Sequence, residues 1–465
     1  MILDKEKMNI RDLAGKRIHM IGIGGASMSG LALMLKEIGC EVTGSSNLDS
    51  KVLDTLREQG IRVYVGHSES NVEGAGLVAY TTAVPKDHVE LQAARKQGIP
   101  VIDRPALLAL IADQYPRTIA VCGTHGKTTT TSMLTEILVS AGLDPAVHIG
   151  GQLDSIGGGV RAGGGDLFVT EACEFKRAFL TLHPYMAVVL NIDRDHLDCY
   201  KNLDEIESTF GAFMDKVPDS GFVVGNGEDP RVIRQLKRLP CRTEAFGMTD
   251  SCDWYPADNK EDELGRGYFK VCHKGSIVGE VSMSVPGSFN VRNGLAAIAA
   301  ACLLGASPEV ACRAVSHFTG ARRRFEKTGE VCGVELFHDY GHNPVEMRNA
   351  VSIARKRCRG RLFVVVQPHT FSRVKTLFND YLTCTELADY TLVTDIYGAR
   401  EKDPGDINSG MLVNGMREHG IEAFWTPSFD DTENKLRSMW QPGDLVITLG
   451  CGNINLLNEQ IKDRS

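Results

Sequence analysis

A chain of 465 residues exceeds one ordinary core, and domains of ~100–200 residues put two to four here. With 43% hydrophobic and 24% charged residues the composition is that of a soluble globular protein, and no apolar stretch approaches the ~20 uncharged residues of a membrane span. A net charge of −8 and a pI near 5.9 leave no basic face for nucleic acid, and thirteen cysteines without a CxxC pair fit reduced cytoplasmic thiols better than a disulfide framework.

Three blocks follow, with boundaries near 113 and 322: residues 1–113, 114–322 and 323–465. The N-terminus reads as a lead-in to the first strand and not as a signal peptide. The first block starts on a strand-like run, Arg17–Ile21, then a glycine turn and a helix-period run, Leu31–Leu35. Strand signals recur at 40–43, 61–65, 77–80 and 101–102, a βαβ rhythm that predicts a parallel sheet. The second block repeats the pattern from Thr118–Val121, with strands at 166–169, 186–190 and 221–224, a small antiparallel patch within 241–285 and an alanine-rich helix at 293–304. The third begins near Phe325, with strands at 361–366, 389–394 and 444–449. Loops at the carboxyl ends of such strands hold ligands in open parallel sheets.

The sharpest motif is Gly123-Thr124-His125-Gly126-Lys127-Thr128-Thr129, directly after a strand. A glycine loop between strand and helix points backbone N–H groups at an anion, and the helix dipole adds to the attraction. Lys127 can reach outer phosphates and the Thr128 hydroxyl can bind Mg²⁺. Val121 stands where the longer P-loop pattern wants glycine, so this is a shortened loop. A second turn, Gly22-Ile-Gly24-Gly25-Ala-Ser27, suits a nucleotide diphosphate; Ser27 and the strand ending Thr43-Gly-Ser45-Ser46 speak against NAD. Glu171 and Glu174 follow one strand, and Asp193, Asp195, His196 and Asp198 follow the next; beside a phosphate loop such groups favour a metal site. His338 and His342 have zinc-like spacing, but Gly341 and Pro344 oppose a helix carrying both. Arg373, near His369, is suited to a carboxylate by its bidentate geometry.

In order, GIGGxxMSGLA, GTHGKTTT, EACE, NIDxDHLD, PGxxNxxN, RRRFE, DYGHNP, QPHxFxR and DIYGARE resemble the Mur ligase family over about residues 16–457. The resemblance implies an α/β chain of three domains: a Rossmann-like N-terminal domain for a UDP-sugar, a central P-loop-like ATPase domain with a parallel sheet, and a C-terminal Rossmann-like domain that binds the amino acid and closes over the site. It implies a cytoplasmic ligase, monomer or homodimer, that takes ATP with Mg²⁺ or Mn²⁺, UDP-N-acetylmuramate and L-alanine. The lactyl carboxylate would become an acyl phosphate, which the amine then attacks.

Carried over by position, the phosphate loop from Gly123 to Thr129 meets ATP, with Asn290 and Asn293 facing adenine and Arg324 and Asp339 meeting the nucleotide. Lys127, Glu171 and His196 are the implied catalytic residues, and Thr128, Glu171 and His196 the implied metal ligands. Tyr340, His342, His369 and Arg373 fall where relatives hold the amino acid. Gly24, Ser27, Ser45, His67 and Arg104 fall where they hold the UDP-sugar. Phe289, Ser46, His338 and Asn343 depart from the family pattern. A sister ligase that adds a larger peptide to the same sugar, and a non-catalytic nucleotide-binding relative, are the alternatives.

Overall fold

Short Val/Ile-rich runs bounded by glycine turns bury both faces of a strand, which calls for parallel sheets covered by helices. The computed structural model describes residues 10–465 apart from 82, 196–198 and 400. It contains three sheets. The first holds β1 (Arg17–Ile21), β2 (Glu41–Ser46), β3 (Arg62–Val65), β4 (Leu77–Tyr80) and β5 (Val101–Asp103), all parallel in the order β3-β2-β1-β4-β5. The order reverses at β1, and the Gly22–Gly25 turn leaves its carboxyl end at that switch point.

The central sheet has ten strands: β6 (Arg117–Cys122), β7 (Ala146–Leu153), β8 (Gly158–Arg161), β9 (Leu167–Glu171), β10 (Met186–Val189), β11 (Phe222–Asn226), β12 (Arg242–Phe246), β13 (Trp254–Glu261), β14 (Arg266–His273) and β15 (Ser276–Pro286). Their order is β15-β14-β13-β12-β11-β10-β6-β9-β7-β8. The small antiparallel patch expected within 241–285 is present as β13-β14-β15, and it is continuous with this sheet. β12 pairs parallel with β11 and β13, β13-β14-β15 run antiparallel, and so does the edge pair β7-β8. The third sheet holds β16 (Glu326–Val331), β17 (Val334–Asp339), β18 (Leu362–Val366), β19 (Tyr390–Val393), β20 (Ala423–Trp425) and β21 (Leu445–Leu449), ordered β16-β17-β21-β18-β19-β20 with only β16 antiparallel.

Every residue of β10, β18 and β21 is buried, as expected of central parallel strands. The first two domains share one apolar cluster: Leu107 and Ile111 of the helix Arg104–Ala112 belong to it with Phe168, Phe179 and Phe210 of the central domain. Phe179 stacks on Phe213 at 4.5 Å and meets Phe210 edge-on at 5.2 Å.

Candidate active site

Adjacent parallel strands deliver their loops to one edge. β6 lies between β9 and β10, with Val121 opposite Glu171 and Cys122 opposite Val189. The loop 123–126 therefore emerges between the acidic segment 171–174 and the segment 191–195. Gly126 caps the helix Lys127–Ser140 with φ +87°, and a Cβ there would stand 2.7 Å from Asn293 Oδ1. Both the left-handed backbone and the close approach of Asn293 require glycine. Asn191 clamps the loop, accepting from the His125 N–H at 2.8 Å and donating to the His125 carbonyl at 3.0 Å.

Lys127 is enclosed and donates to both carboxylate oxygens of Glu174, at 3.0 and 3.1 Å, and to the Thr124 carbonyl at 3.1 Å. Burial alone would lower its pKa, but the Glu174 carboxylate outweighs this and drives it above the usual lysine range. His125 Nδ1 bonds Glu346 Oε1 at 2.9 Å, and Nε2 lies 3.7 Å from Asp193. Burial opposes the imidazolium, yet Asp193 and Glu346 raise His125 to about 9. Glu346 is pulled well below the carboxylate range, because His125 and His342 overcome its burial.

Across the cleft, β17, β21 and β18 are neighbours, with Asp339 and Val366 both opposite Leu449, so the loops bearing Tyr340, His342 and His369 converge. Asp339 fixes the linker to the third domain, accepting from the N–H of Phe325 at 2.8 Å and of Gly341 at 2.7 Å. Arg324 donates to Thr128 Oγ1 at 3.1 Å, and its guanidinium and that of Arg323 each lie against the Tyr340 ring, 4.9 and 4.8 Å from the centroid. Arg373 spans two domains: it bonds His369 Nδ1 at 3.1 Å and Asp195 Oδ1 at 3.1 Å. His338 turns away from His342, bonding Thr448 and Arg323, and burial with Arg323 nearby lowers it to about 3, so the pair does not form a zinc site.

Two cavities result. One of about 1090 Å³ is lined by Thr124, Gly126, Lys127, Thr128, Glu171, Arg324, Tyr340, His342, His369 and Arg373 of the expected residues. Another of about 530 Å³ is lined by His125, Gly126, Thr129, Asn290, Asn293, Arg324 and Asp339, and by Phe289. Gly126, Arg324 and Glu346 border both, so the cavities meet over the phosphate loop. Glu346 was not singled out by sequence, and Glu174, expected with Glu171 beside a metal, is instead the partner of Lys127.

Thr128 and Glu171 offer hard oxygen donors of the kind Mg²⁺ takes. Gly150 and Gly151 of β7 run beside both: a Cβ at 150 would stand 3.1 Å from Glu171 Oε2, and one at 151 2.9 Å from Thr128 Cγ2. Glycine thus leaves room where a hydrated ion would sit, and the donor set fits one. His196, the third expected ligand, lies outside the described residues.

The residues expected at the UDP-sugar do not line these cavities, although Ala26 and Ser29 beside Ser27 line the larger one. Ser27 bonds His148 Nε2 at 3.0 Å and receives Arg104 Nη1 at 3.4 Å, which joins the first domain to the second. Burial, with Arg104 nearby, lowers His148 to about 4. Ser45 is wholly buried and donates to Glu90 at 2.6 Å, with His67 Nδ1 3.1 Å from its hydroxyl. Gly24 packs on Leu53 and Ser46, where a Cβ would stand 3.2 and 3.3 Å from their side chains.

Three family models match consecutive stretches: the Mur ligase family catalytic domain over residues 17–116, the Mur ligase middle domain over 121–301 and the Mur ligase glutamate ligase domain over 323–452. The chain belongs to the Mur ligase family. Among relatives it is similar to the UDP-N-acetylmuramate–L-alanine ligase of Caldanaerobacter subterraneus subsp. tengcongensis, 42% identical over 97% of this chain and 98% of that protein. Among solved structures it is similar to the UDP-N-acetylmuramate–alanine ligase of Thermotoga maritima, with TM-score 0.82, 27% identity and coverage of 97% and 99%. A murein peptide ligase from Psychrobacter arcticus aligns with TM-score 0.75 at 25% identity, over 97% of this chain and 98% of that one.

Proposed function

We propose that this protein is an ATP-dependent carboxylate–amine ligase that joins L-alanine to the lactyl carboxylate of UDP-N-acetylmuramate in peptidoglycan precursor synthesis, forming ADP and phosphate. One observation carries the reading: Lys127, Thr128 and Arg324 face the same cavity as His369 and Arg373. A phosphoryl group and the carboxylate of an amino acid can therefore be held in one enclosure.

The adenine and ribose lie in the smaller cavity against Asn290, Asn293 and Phe289, and the phosphates cross the loop at Gly126 into the larger one. Lys127, now paired with Glu174, turns its ammonium to the transferring phosphoryl group, and Arg324 adds a second cation from the linker. Thr128 and Glu171, with His196 as the third expected ligand, would hold Mg²⁺, which would supply neutralisation of charge on the phosphate oxygens. The UDP-sugar sits on the first domain and reaches the loop past Ser29, Gly30 and Leu33, which line the larger cavity. Arg373 takes the alanine carboxylate, with Tyr340, His342 and His369 around the amine. Closure of the domains excludes water from an intermediate that would hydrolyse.

We assign the domains to 1–113, 114–322 and 323–465, the oligomeric state to monomer or homodimer, and the location to the cytoplasm. Cysteines such as Cys40, Cys122 and Cys384 are buried free thiols, and no described helix is long and apolar enough to cross a membrane. An ADP-release assay with UDP-N-acetylmuramate and a panel of amino acids and a tripeptide tests the substrate. L-alanine should support turnover; release with the tripeptide and not with alanine would move the protein to the peptide-adding branch.

A further inference from the structure

The N-terminal domain buries a carboxylate among histidines. Glu90, on the helix Val89–Lys96, is wholly enclosed. Asn71 Nδ2 donates to its Oε1 at 2.6 Å and Ser45 Oγ to its Oε2 at 2.6 Å. Among the described residues its ion-pair partners are two histidines: His67 Nδ1 at 3.2 Å and His19 Nε2 at 3.6 Å from Oε2. His88 completes the group. Its ring meets that of His67 edge-on with centroids 4.4 Å apart, and one donor atom each of His67, His88 and Glu90 lie within 4.8 Å of one another.

His19 is an independent sign. Its Nδ1 bonds Thr43 Oγ1 at 3.0 Å, while Nε2, wholly buried, has no hydrogen-bond partner and faces the carboxylate. A buried polar nitrogen beside a buried carboxylate is the setting a cation would relieve.

We infer that His67, His88 and Glu90 form a binding site for a divalent first-row transition ion, Zn²⁺ by preference. Two imidazoles and one carboxylate are a zinc donor set, and their nitrogens disfavour Mg²⁺. Two ligands at ~2.1 Å from a tetrahedral ion stand ~3.4 Å apart, and His67 Nδ1 and Glu90 Oε2 are already 3.2 Å apart. His88, half-buried at the helix N-cap, closes the remaining gap by rotating its ring, and the fourth position is left to water or an anion. Although burial pushes Glu90 up, His19, Ser45 and Asn71 outweigh it and hold the carboxyl at about 2, so this ligand is ionised at neutral pH. Nothing here depends on the ligase reading, since binding is measured without substrates.

The test is titration of the chelator-treated full-length protein with Co²⁺, read by the intense visible bands of four-coordinate cobalt. The expected result is one equivalent of coloured Co²⁺ per chain, bleached by Zn²⁺ and not by Mg²⁺, with the affinity lowered ~10-fold or more in His88→Gln. His88→Asn, which keeps a helix-capping side chain, serves as the second variant. An absence of colour at one equivalent would overturn the site, as would a His88→Gln protein, folded by circular dichroism, that titrates like the wild type.

Discussion

Glu346 bonds His125 of the phosphate loop at 2.9 Å through one carboxylate oxygen, while the other accepts from the N–H of His342 at 3.2 Å. A single side chain of the third domain thus ties the proposed nucleotide loop of the second to the proposed amino-acid loop. Replacing Glu346 by Gln removes the charge that holds both. We expect kcat/KM to fall ~10-fold or more for ATP and for L-alanine alike, as befits a hydrogen bond to a charged group worth ~1.5–3 kcal/mol. Steady-state kinetics with each substrate varied check this, and an effect on one substrate alone would contradict the coupling.

The same pair sets a pH dependence. His125 is raised from 6.5 to about 9 in the folded chain by Asp193 and Glu346, against its burial. A raised pKa contributes stability that is complete below the unfolded value and is lost as pH climbs through the folded one. The melting temperature should therefore decline from pH 6.5 to 9, and Glu346→Gln should flatten that decline. Calorimetry across this range decides; parallel curves for the two proteins would remove His125 as the cause.

Lys127→Ala should lower turnover by ~10³-fold or more, since one cation on the transferring group is lost. The variant should fold but melt earlier, because Glu174 loses the ammonium it is buried against. Adding Glu174→Gln should restore the melting temperature and not the activity. Recovery of both would make Lys127 a structural partner only.

Arg373→Ala should raise the KM for L-alanine ~10-fold or more while leaving that for ATP within about twofold. Because Arg373 also pairs with Asp195 across the domains, Asp195→Asn is the control. An equal rise in KM for alanine in both variants would point to domain closure and not to carboxylate binding.

Gly151→Ala places a methyl 2.9 Å from the Thr128 side chain. The Mg²⁺ concentration for half-maximal rate should rise, with the KM for L-alanine unmoved. An unchanged metal requirement would contradict a site between Thr128 and Glu171.

The strands of the three domains were legible because buried parallel strands such as Leu362–Val366 are continuous apolar runs between breakers. β7, β8, β16, β17 and β20 were not: Ala146–Leu153 carries two glycines, Glu326–Val331 is polar, Val334–Asp339 is interrupted by Glu335 and His338, and Ala423–Trp425 is three residues long. The phosphate loop could be read locally, since its strand, glycines, lysine and threonine are contiguous. Glu174 and Glu346 could not, because their roles come from partners 47 and 221 residues away. Ser45 falls in a UDP-sugar motif, yet its burial against Glu90 follows from the pairing of β1, β2 and the helix after β4, which no local pattern reports.

The claim on which the mechanism stands is that the sugar carboxylate is phosphorylated before the amine attacks. It is tested by supplying UDP-N-acetylmuramate labelled with ¹⁸O in the lactyl carboxylate, together with ATP and L-alanine, and weighing the released phosphate by mass spectrometry. Transfer of one labelled oxygen to phosphate in each turnover is expected. Unlabelled phosphate alongside a normal yield of alanylated product would contradict the account.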